Sequence, residues 1–274
     1  MTVKSIALSL LGLACAVPLG LSLVLYTFQD RLIFHPRALH PELKELATKT
    51  PQMAAVQLHA SDQALLKGWV VRRPAGSPLI LYWGGNAEEI TSFAVDAALA
   101  WPRWSVVAIN YRGYGESSGV PSERALFEDA LLVTGWALSH LNCNQDKVVL
   151  LGRSLGSAVA VHVAAHVKVA GVVLVTPFDS MTNVAQSRYP IVPVSRLLKH
   201  QFDSLSMAPR IDAKLLALLA SDDSIVPAKH SRALLAAWKG AKRAITIANT
   251  DHNSISDSDD YQQALGAFLQ EIAP

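Results

Sequence analysis

Short apolar runs alternate with longer stretches of helical periodicity through most of the chain. Leu79–Trp83, Val106–Asn110, Lys147–Leu151, Gly171–Val175, Leu215–Leu219 and Ala244–Ala248 read as strands. Ala54–His59 and Leu65–Arg72 flank Ala60-Ser61-Asp62-Gln63 and read as a β-hairpin. Helical patterns cover Glu88–Leu99, Ser122–His140, Leu155–Val167, Lys229–Trp238 and Tyr261–Ile272. Strands that are apolar at every position are buried on both faces. Their alternation with helices predicts an α/β fold: a mostly parallel central sheet, helices on both faces and the hairpin at one edge.

Met181–Arg210 breaks the alternation. It holds Pro190, Pro193 and Pro209 around a helical Val194–Phe202, and reads as a short lid inserted between two strands, residues 181–210. Its Arg188, Arg196, Lys199 and Arg210 form either a solvated face or a surface favouring anionic substrates or lipid head groups.

The pattern at the chain start is different. No charged residue lies between Lys4 and Asp30, and 17 of the 24 residues Ser5–Phe28 are apolar. At 1.5 Å rise per residue such a helix reaches about 36 Å, enough for a hydrocarbon core of about 30 Å. Pro18 would kink it, and Tyr26 and Phe28 would stand at the interface. A cleaved signal peptide has a shorter apolar core and a small-residue cleavage site; here the run continues past such positions. The reading is an uncleaved single-pass anchor over residues 1–30, a juxtamembrane linker over 31–52 with Pro36, Pro41 and Pro51, and one domain over 53–274. Lys4 precedes the run while Arg31, Arg37 and Lys44 follow it, which weakly places the domain in the cytoplasm.

Composition narrows the function classes. Half the residues are hydrophobic (51%) and 17% are charged, which excludes a disordered or coiled-coil chain. The balance of 24 basic and 22 acidic residues gives a net charge of +2, so no basic face recommends nucleic acid as a partner. Two cysteines, Cys15 and Cys143, make neither a disulfide framework nor a cysteine-rich metal site.

The pentapeptide G-x-S-x-G occurs twice. Gly115-Glu116-Ser117-Ser118-Gly119 is followed by Val120-Pro121 and reads as a turn. Gly152-Arg153-Ser154-Leu155-Gly156 follows a strand directly and runs into a small-residue helix. Strand, sharp turn, helix is the setting of a nucleophile elbow, with Ser154 at its apex. A serine nucleophile needs a base and an orienting acid. His252 lies just past the strand Ala244–Ala248, where the base belongs in the chain order Ser, acid, His. On spacing alone the acid is Asp222, Asp223 or Asp179. The oxyanion hole needs two backbone N–H groups. Leu155 follows the nucleophile and supplies one; Asn86, in Gly84-Gly85-Asn86-Ala87 after a strand, is the best candidate for the other.

These residues resemble the α/β-hydrolase superfamily, more narrowly its membrane-anchored serine hydrolases, a group that includes lipid and acyl-protein hydrolases. The resemblance spans nearly all the chain. It is carried by Phe28-Gln29-Asp30-Arg31-Leu32-Ile33-Phe34-His35-Pro36, by Asn110-Tyr111-Arg112-Gly113-Tyr114-Gly115-Glu116-Ser117 and by Gly119-Val120-Pro121-Ser122-Glu123. The elbow, Pro177-Phe178-Asp179-Ser180 and Asp223-Ser224-Ile225-Val226-Pro227 add to it. In the family the acid stands four residues before that proline, which selects Asp223. The resemblance thus implies Ser154, Asp223 and His252 as the triad, Asn86 and Leu155 as oxyanion donors, and a structural role for Arg112 and Tyr114. There is one departure: Gly84 stands where the family usually has a histidine that braces the oxyanion loop.

The function expected is hydrolysis of carboxylic esters or thioesters through an acyl-enzyme on Ser154, with no metal or organic cofactor. An anchor beside the domain points to lipid-like acyl substrates. The alternatives are a serine peptidase and a catalytically silent membrane-anchored binding protein on the same fold.

Overall fold

A computed structural model describes the backbone of residues 3–274 and the side chains of residues 16–274. In chain order it begins with α1 (Val3–Ile33) and α2 (Pro41–Lys49), then the hairpin β1 (Met53–His59) and β2 (Leu65–Val71). There follow β3 (Leu79–Trp83), α3 (Thr91–Ala100), β4 (Ser105–Ile109), α4 (Glu123–His140), β5 (Val148–Arg153), α5 (Leu155–His166) and β6 (Gly171–Val175). An insertion carries α6 (Met181–Arg188), α7 (Val194–Leu197) and α8 (Ser204–Met207). The chain closes with β7 (Lys214–Ala220), α9 (Ala228–Ala237), β8 (Lys242–Ile247) and α10 (Asp259–Ile272).

The eight strands form one sheet in the order β1-β2-β4-β3-β5-β6-β7-β8. The edge pairs β1–β2 and β2–β4 are antiparallel and the rest of the sheet is parallel. Every residue of β3, β4 and β6 is buried. Successive side chains in a strand point to opposite faces. Leu79 and Leu81 therefore join a core beneath α4 and α5, while Ile80 and Tyr82 join a second core against α3 and α10. Burying each large aliphatic side chain stabilises by about 1.5–3 kcal/mol, which explains why both faces are covered.

Three local expectations are revised. Residues 41–49 form a helix with Pro41 in its first turn, a position where proline's missing N–H and fixed φ are no handicap. The lid contains α6, which was not expected, and the helix expected over Val194–Phe202 is confined to α7, Val194–Leu197. Ser180 caps α6 by accepting from Asn183 N. The segment after Leu197 leaves the helix because its donors go elsewhere: Lys199 N to Gln29 Oε1, Gln201 N and Phe202 N to Glu123. Finally, α3 starts at Thr91 because Glu88 turns its carboxylate back to Gly85 N at 2.8 Å.

The expected membrane anchor falls partly outside the described side chains, which begin at residue 16. Among the described residues no helix is long and apolar enough to cross a membrane. The last turns of α1 pack on the body of the protein: Gln29, Ile33 and Phe34 are buried, whereas Val17, Leu19, Leu23 and Val24 are exposed.

Candidate active site

The turn between β5 and α5 carries Ser154 in a left-handed conformation, φ +51° and ψ −115°. A non-glycine residue there is strained, and such strain persists only where its surroundings over-determine it. Here the two flanking glycines allow the close approach. A Cβ at Gly152 would strike the Gly156 carbonyl, and one at Gly156 would strike the carbonyls of Trp83 and Gly84. Ser154 N donates to Val175 O at 2.9 Å, tying the elbow to β6. Its hydroxyl is thereby aimed out of the sheet's carboxyl end, above the positive end of the α5 dipole.

Two loops meet this serine. The turn after β8 brings His252 Nε2 to 2.8 Å from Ser154 Oγ. The turn after β7 brings Asp223 Oδ2 to 2.8 Å from His252 Nδ1. Both partners are buried: His252 is 5% exposed and the Asp223 side chain 7%. The other carboxylate oxygen of Asp223 accepts from Ile225 N and Val226 N. A carboxylate that accepts from Nδ1 leaves Nε2 as the ring nitrogen facing the serine hydroxyl. Asp251 stabilises the histidine turn from below by accepting from Asn253 N, Ser254 N and Ser254 Oγ.

The loop after β3 faces the same serine. A Cβ at Gly85 would lie 3.8 Å from Ser154 Cβ. Among the described residues the N–H groups of Asn86 and Leu155 have no hydrogen-bond acceptor. The rest of the Asn86 peptide is clamped. Its carbonyl accepts from Tyr114 OH at 2.6 Å and His35 N at 3.0 Å, and its side-chain amide donates to Ile33 O. Burial pushes the Tyr114 phenol up to about 12, so it stays a neutral donor.

The comparisons with known proteins agree with this architecture. A profile of the alpha/beta hydrolase fold matches residues 78–193. The chain is 31% identical over 272 residues to the Mycobacterium tuberculosis protein Rv2307c, covering 97% of this chain and 96% of the relative. The chain belongs to the α/β-hydrolase family. A second relative, the Saccharomyces cerevisiae membrane protein YNL320W, is 28% identical and covers 90% of each chain. Among solved structures, the Pyrococcus furiosus esterase Pf2001 superposes with a TM-score of 0.68 at 14% identity, covering 88% of this chain and 98% of that one.

The loop after β3, where Gly84 stands, is held by several side chains. The Gly84 carbonyl accepts from Tyr111 OH at 2.9 Å. Glu88 accepts from Gly85 N and Tyr82 OH, and pairs with Arg153 Nη1 at 3.2 Å. Arg153 Nη2 reaches across to the carbonyls of His252 and Asn253. One guanidinium thus joins the loop after β3 to the histidine turn. Sequence reasoning missed both Glu88 and Arg153, because the contacts of Arg153 that link the two loops are remote in the chain.

The remaining candidates fall into other roles. Ser117 of the second G-x-S-x-G is buried and bonded to Lys67 N and Asn110 O, within a turn. Asp222 points away and accepts from Ser221 Oγ. Arg112 forks onto both oxygens of Asp129 and also meets Asp62, holding its loop beside the sheet. Asp179 serves a different histidine: it accepts from His230 Nδ1 at 2.9 Å, while His230 Nε2 lies 3.1 Å from Ser187 Oγ. Ser187 sits in the last turn of α6, at the negative end of the helix dipole, which disfavours an oxyanion. This second relay therefore reads as a clamp between lid and core.

Proposed function

We propose that the chain is a serine hydrolase of carboxylic ester or thioester bonds. The observation that carries the reading is the unbroken relay Asp223–His252–Ser154, with 2.8 Å at each link and the serine on a strained elbow. Ser154 Oγ attacks the acyl carbon as His252 Nε2 takes its proton. The Asn86 and Leu155 N–H groups bind the oxyanion, which forms where a helix N-terminus already favours negative charge. Collapse of the tetrahedral intermediate returns the proton from His252 to the leaving alcohol or thiol and leaves the acyl-enzyme. Water, deprotonated by His252, then releases the carboxylic acid and restores Ser154. The esterase named among the structural neighbours is in keeping with this chemistry. The experiment is labelling with a fluorophosphonate probe. Labelling of wild type and its loss in Ser154→Ala supports the reading, and an unlabelled wild type overturns it.

The same reading keeps residues 1–30 as a membrane anchor. Its support is the uncharged stretch between Lys4 and Asp30 and a relative named as a membrane protein. Alkaline extraction of membranes tests it: the intact chain stays in the pellet, and release into the supernatant refutes anchoring.

A further inference from the structure

The four basic residues of the lid segment, whose role the sequence left open, are not gathered in one place. Arg210 stands just before β7 starts, at the opposite end of the sheet from Ser154. Arg188, Arg196 and Lys199 instead lie around the end of α1. Lys199 Nζ is 4.8 Å from the centre of the Tyr26 ring. Arg188 and Tyr26 both line a chamber of about 460 Å³ between the end of α1, the lid and the turn that carries Asp223. Arg196 belongs to α7, which the buried Gln29 pins to α1 by donating to Leu197 O and accepting from Lys199 N. Arg31, in the last turn of α1, adds a fourth cation.

Among the described residues none of these four cations pairs with a carboxylate, and all four are exposed. The acids close by are already engaged. Asp30 meets His200 Nε2 at 2.9 Å, and Glu123 accepts from Gln201 N and Phe202 N. Like charges gathered without a counter-charge repel one another, so an anionic surface laid against them is favoured.

The course of α1 identifies that surface. Before Tyr26 the helix is apolar and exposed at Val17, Leu19, Leu23 and Val24. Its next charged residue is Asp30, four residues beyond Tyr26 and about 6 Å along the axis. With residues 1–30 across a bilayer, Tyr26 and Phe28 mark its surface, as aromatic residues do at membrane interfaces. The Lys199 ammonium beside Tyr26 then lies at head-group depth, well inside the Debye length of about 8 Å. Ile191, which lies between Arg188 and Arg196, is 58% exposed and adds an apolar contact to the same edge of the lid.

We infer that this edge of the lid rests on the bilayer and binds the phosphates of anionic lipids through Arg31, Arg188, Arg196 and Lys199. The domain is thereby held in one orientation over the membrane as well as tethered to it. The inference rests on the anchor reading of residues 1–30. A tether alone is indifferent to lipid charge. Each basic residue at an anionic surface strengthens the contact about fivefold, and salt weakens it.

The test uses the full chain with a bimane label at Ile191→Cys, in a Cys15→Ala, Cys143→Ala background. It is reconstituted in nanodiscs whose lipids carry a head-group spin label as quencher. Discs of phosphatidylcholine with phosphatidylglycerol should quench the label strongly and discs of phosphatidylcholine alone weakly, and high salt should remove the difference. R188Q, R196Q and K199Q together should weaken the docked state roughly a hundredfold and abolish the difference. Lys147, Lys168 and Lys239 lie at the far end of the sheet, before β5 and after α5 and α9. Their joint replacement by glutamine removes the same charge and should leave the difference intact. Equal quenching in the two kinds of disc overturns the inference, and is the result expected if an acidic protein is the true partner. A difference that survives the lid substitutions overturns it too. Alkaline extraction keeps the two readings apart. A chain that stays in the pellet yet shows equal quenching is anchored but not docked, whereas a chain released by alkali overturns the anchor and the inference with it.

Discussion

Replacing Arg153 with methionine tests whether its brace positions the catalytic groups or only stabilises the fold. Arg153 and Glu88 are each about one-fifth exposed, at 21% and 19%. Methionine keeps the length and apolar stem but leaves the Glu88 carboxylate without its cation. Breaking a fully buried pair costs about 3–5 kcal/mol, and partial exposure brings this to the low end, about 3 kcal/mol. For a domain of this size that lowers Tm by roughly 6–12 °C. Catalysis should suffer separately. Glu88 holds Gly85 N, one residue before the Asn86 N–H proposed as an oxyanion donor, and Arg153 also holds the His252 carbonyl. Displacing one oxyanion donor costs about 10²–10³ in kcat. The expected outcome is a kcat lowered about 10²-fold on an activated ester, with KM little changed, because the donors act mainly in the transition state. Arg153→Lys keeps the charge but not the fork that spans both loops, and should recover more of Tm than of kcat. Steady-state kinetics well below each variant's Tm, beside a thermal melt, separate the two effects. A methionine variant with depressed Tm and wild-type kcat would refute the positioning role and leave Arg153 as a purely structural residue.

Asp223→Asn replaces the carboxylate that holds the His252 Nδ1 proton with an amide that can favour the wrong tautomer. A drop in kcat of order 10⁴ with little change in Tm is expected, and a drop under tenfold would contradict the assignment. A different histidine contributes to acid sensitivity. His162 stacks on Phe127 with centroids 3.9 Å apart, and burial, aided by neighbouring His166, pushes its imidazole down to about 4. Its folded-state value lies below the unfolded one, so as pH falls from about 6.5 towards 4 the unfolded chain takes up the proton first and stability is lost in that window. His162→Gln should flatten the fall in Tm between pH 7 and pH 5, and a slope equal to wild type would count against this account.

The strands and the elbow were legible because their signals are local. A parallel strand buried on both faces must be apolar at every position, and the run Leu79–Trp83 says so without reference to its neighbours. The elbow is marked by two glycines around Ser154, because any Cβ there meets backbone. The lid and the linker were read less well. Helix α6 is short and more than half polar, and its apolar face is only Met181, Val184 and Ala185, so its Ser180 cap is the clearest local mark. The linker's prolines suggested breaks, yet Pro41 opens a helix.

Spacing left three aspartates open, and the family resemblance preferred Asp223. The tertiary structure separates them by where each carboxylate points: Asp223 to His252, Asp179 to His230, Asp222 to Ser221. By itself the sequence determined the α/β architecture, the strained serine and the histidine after the last strand, since each depends on backbone geometry within a few residues. Only the tertiary structure decided how the loop after β3 is braced around Gly84, and that the end of α1 walls a chamber beside the Asp223 turn. The contacts that tie separate elements together span 65 positions in Arg153–Glu88 and 168 in Gln29–Leu197. Such pairs arise from the packing of whole elements and leave no periodicity in the chain.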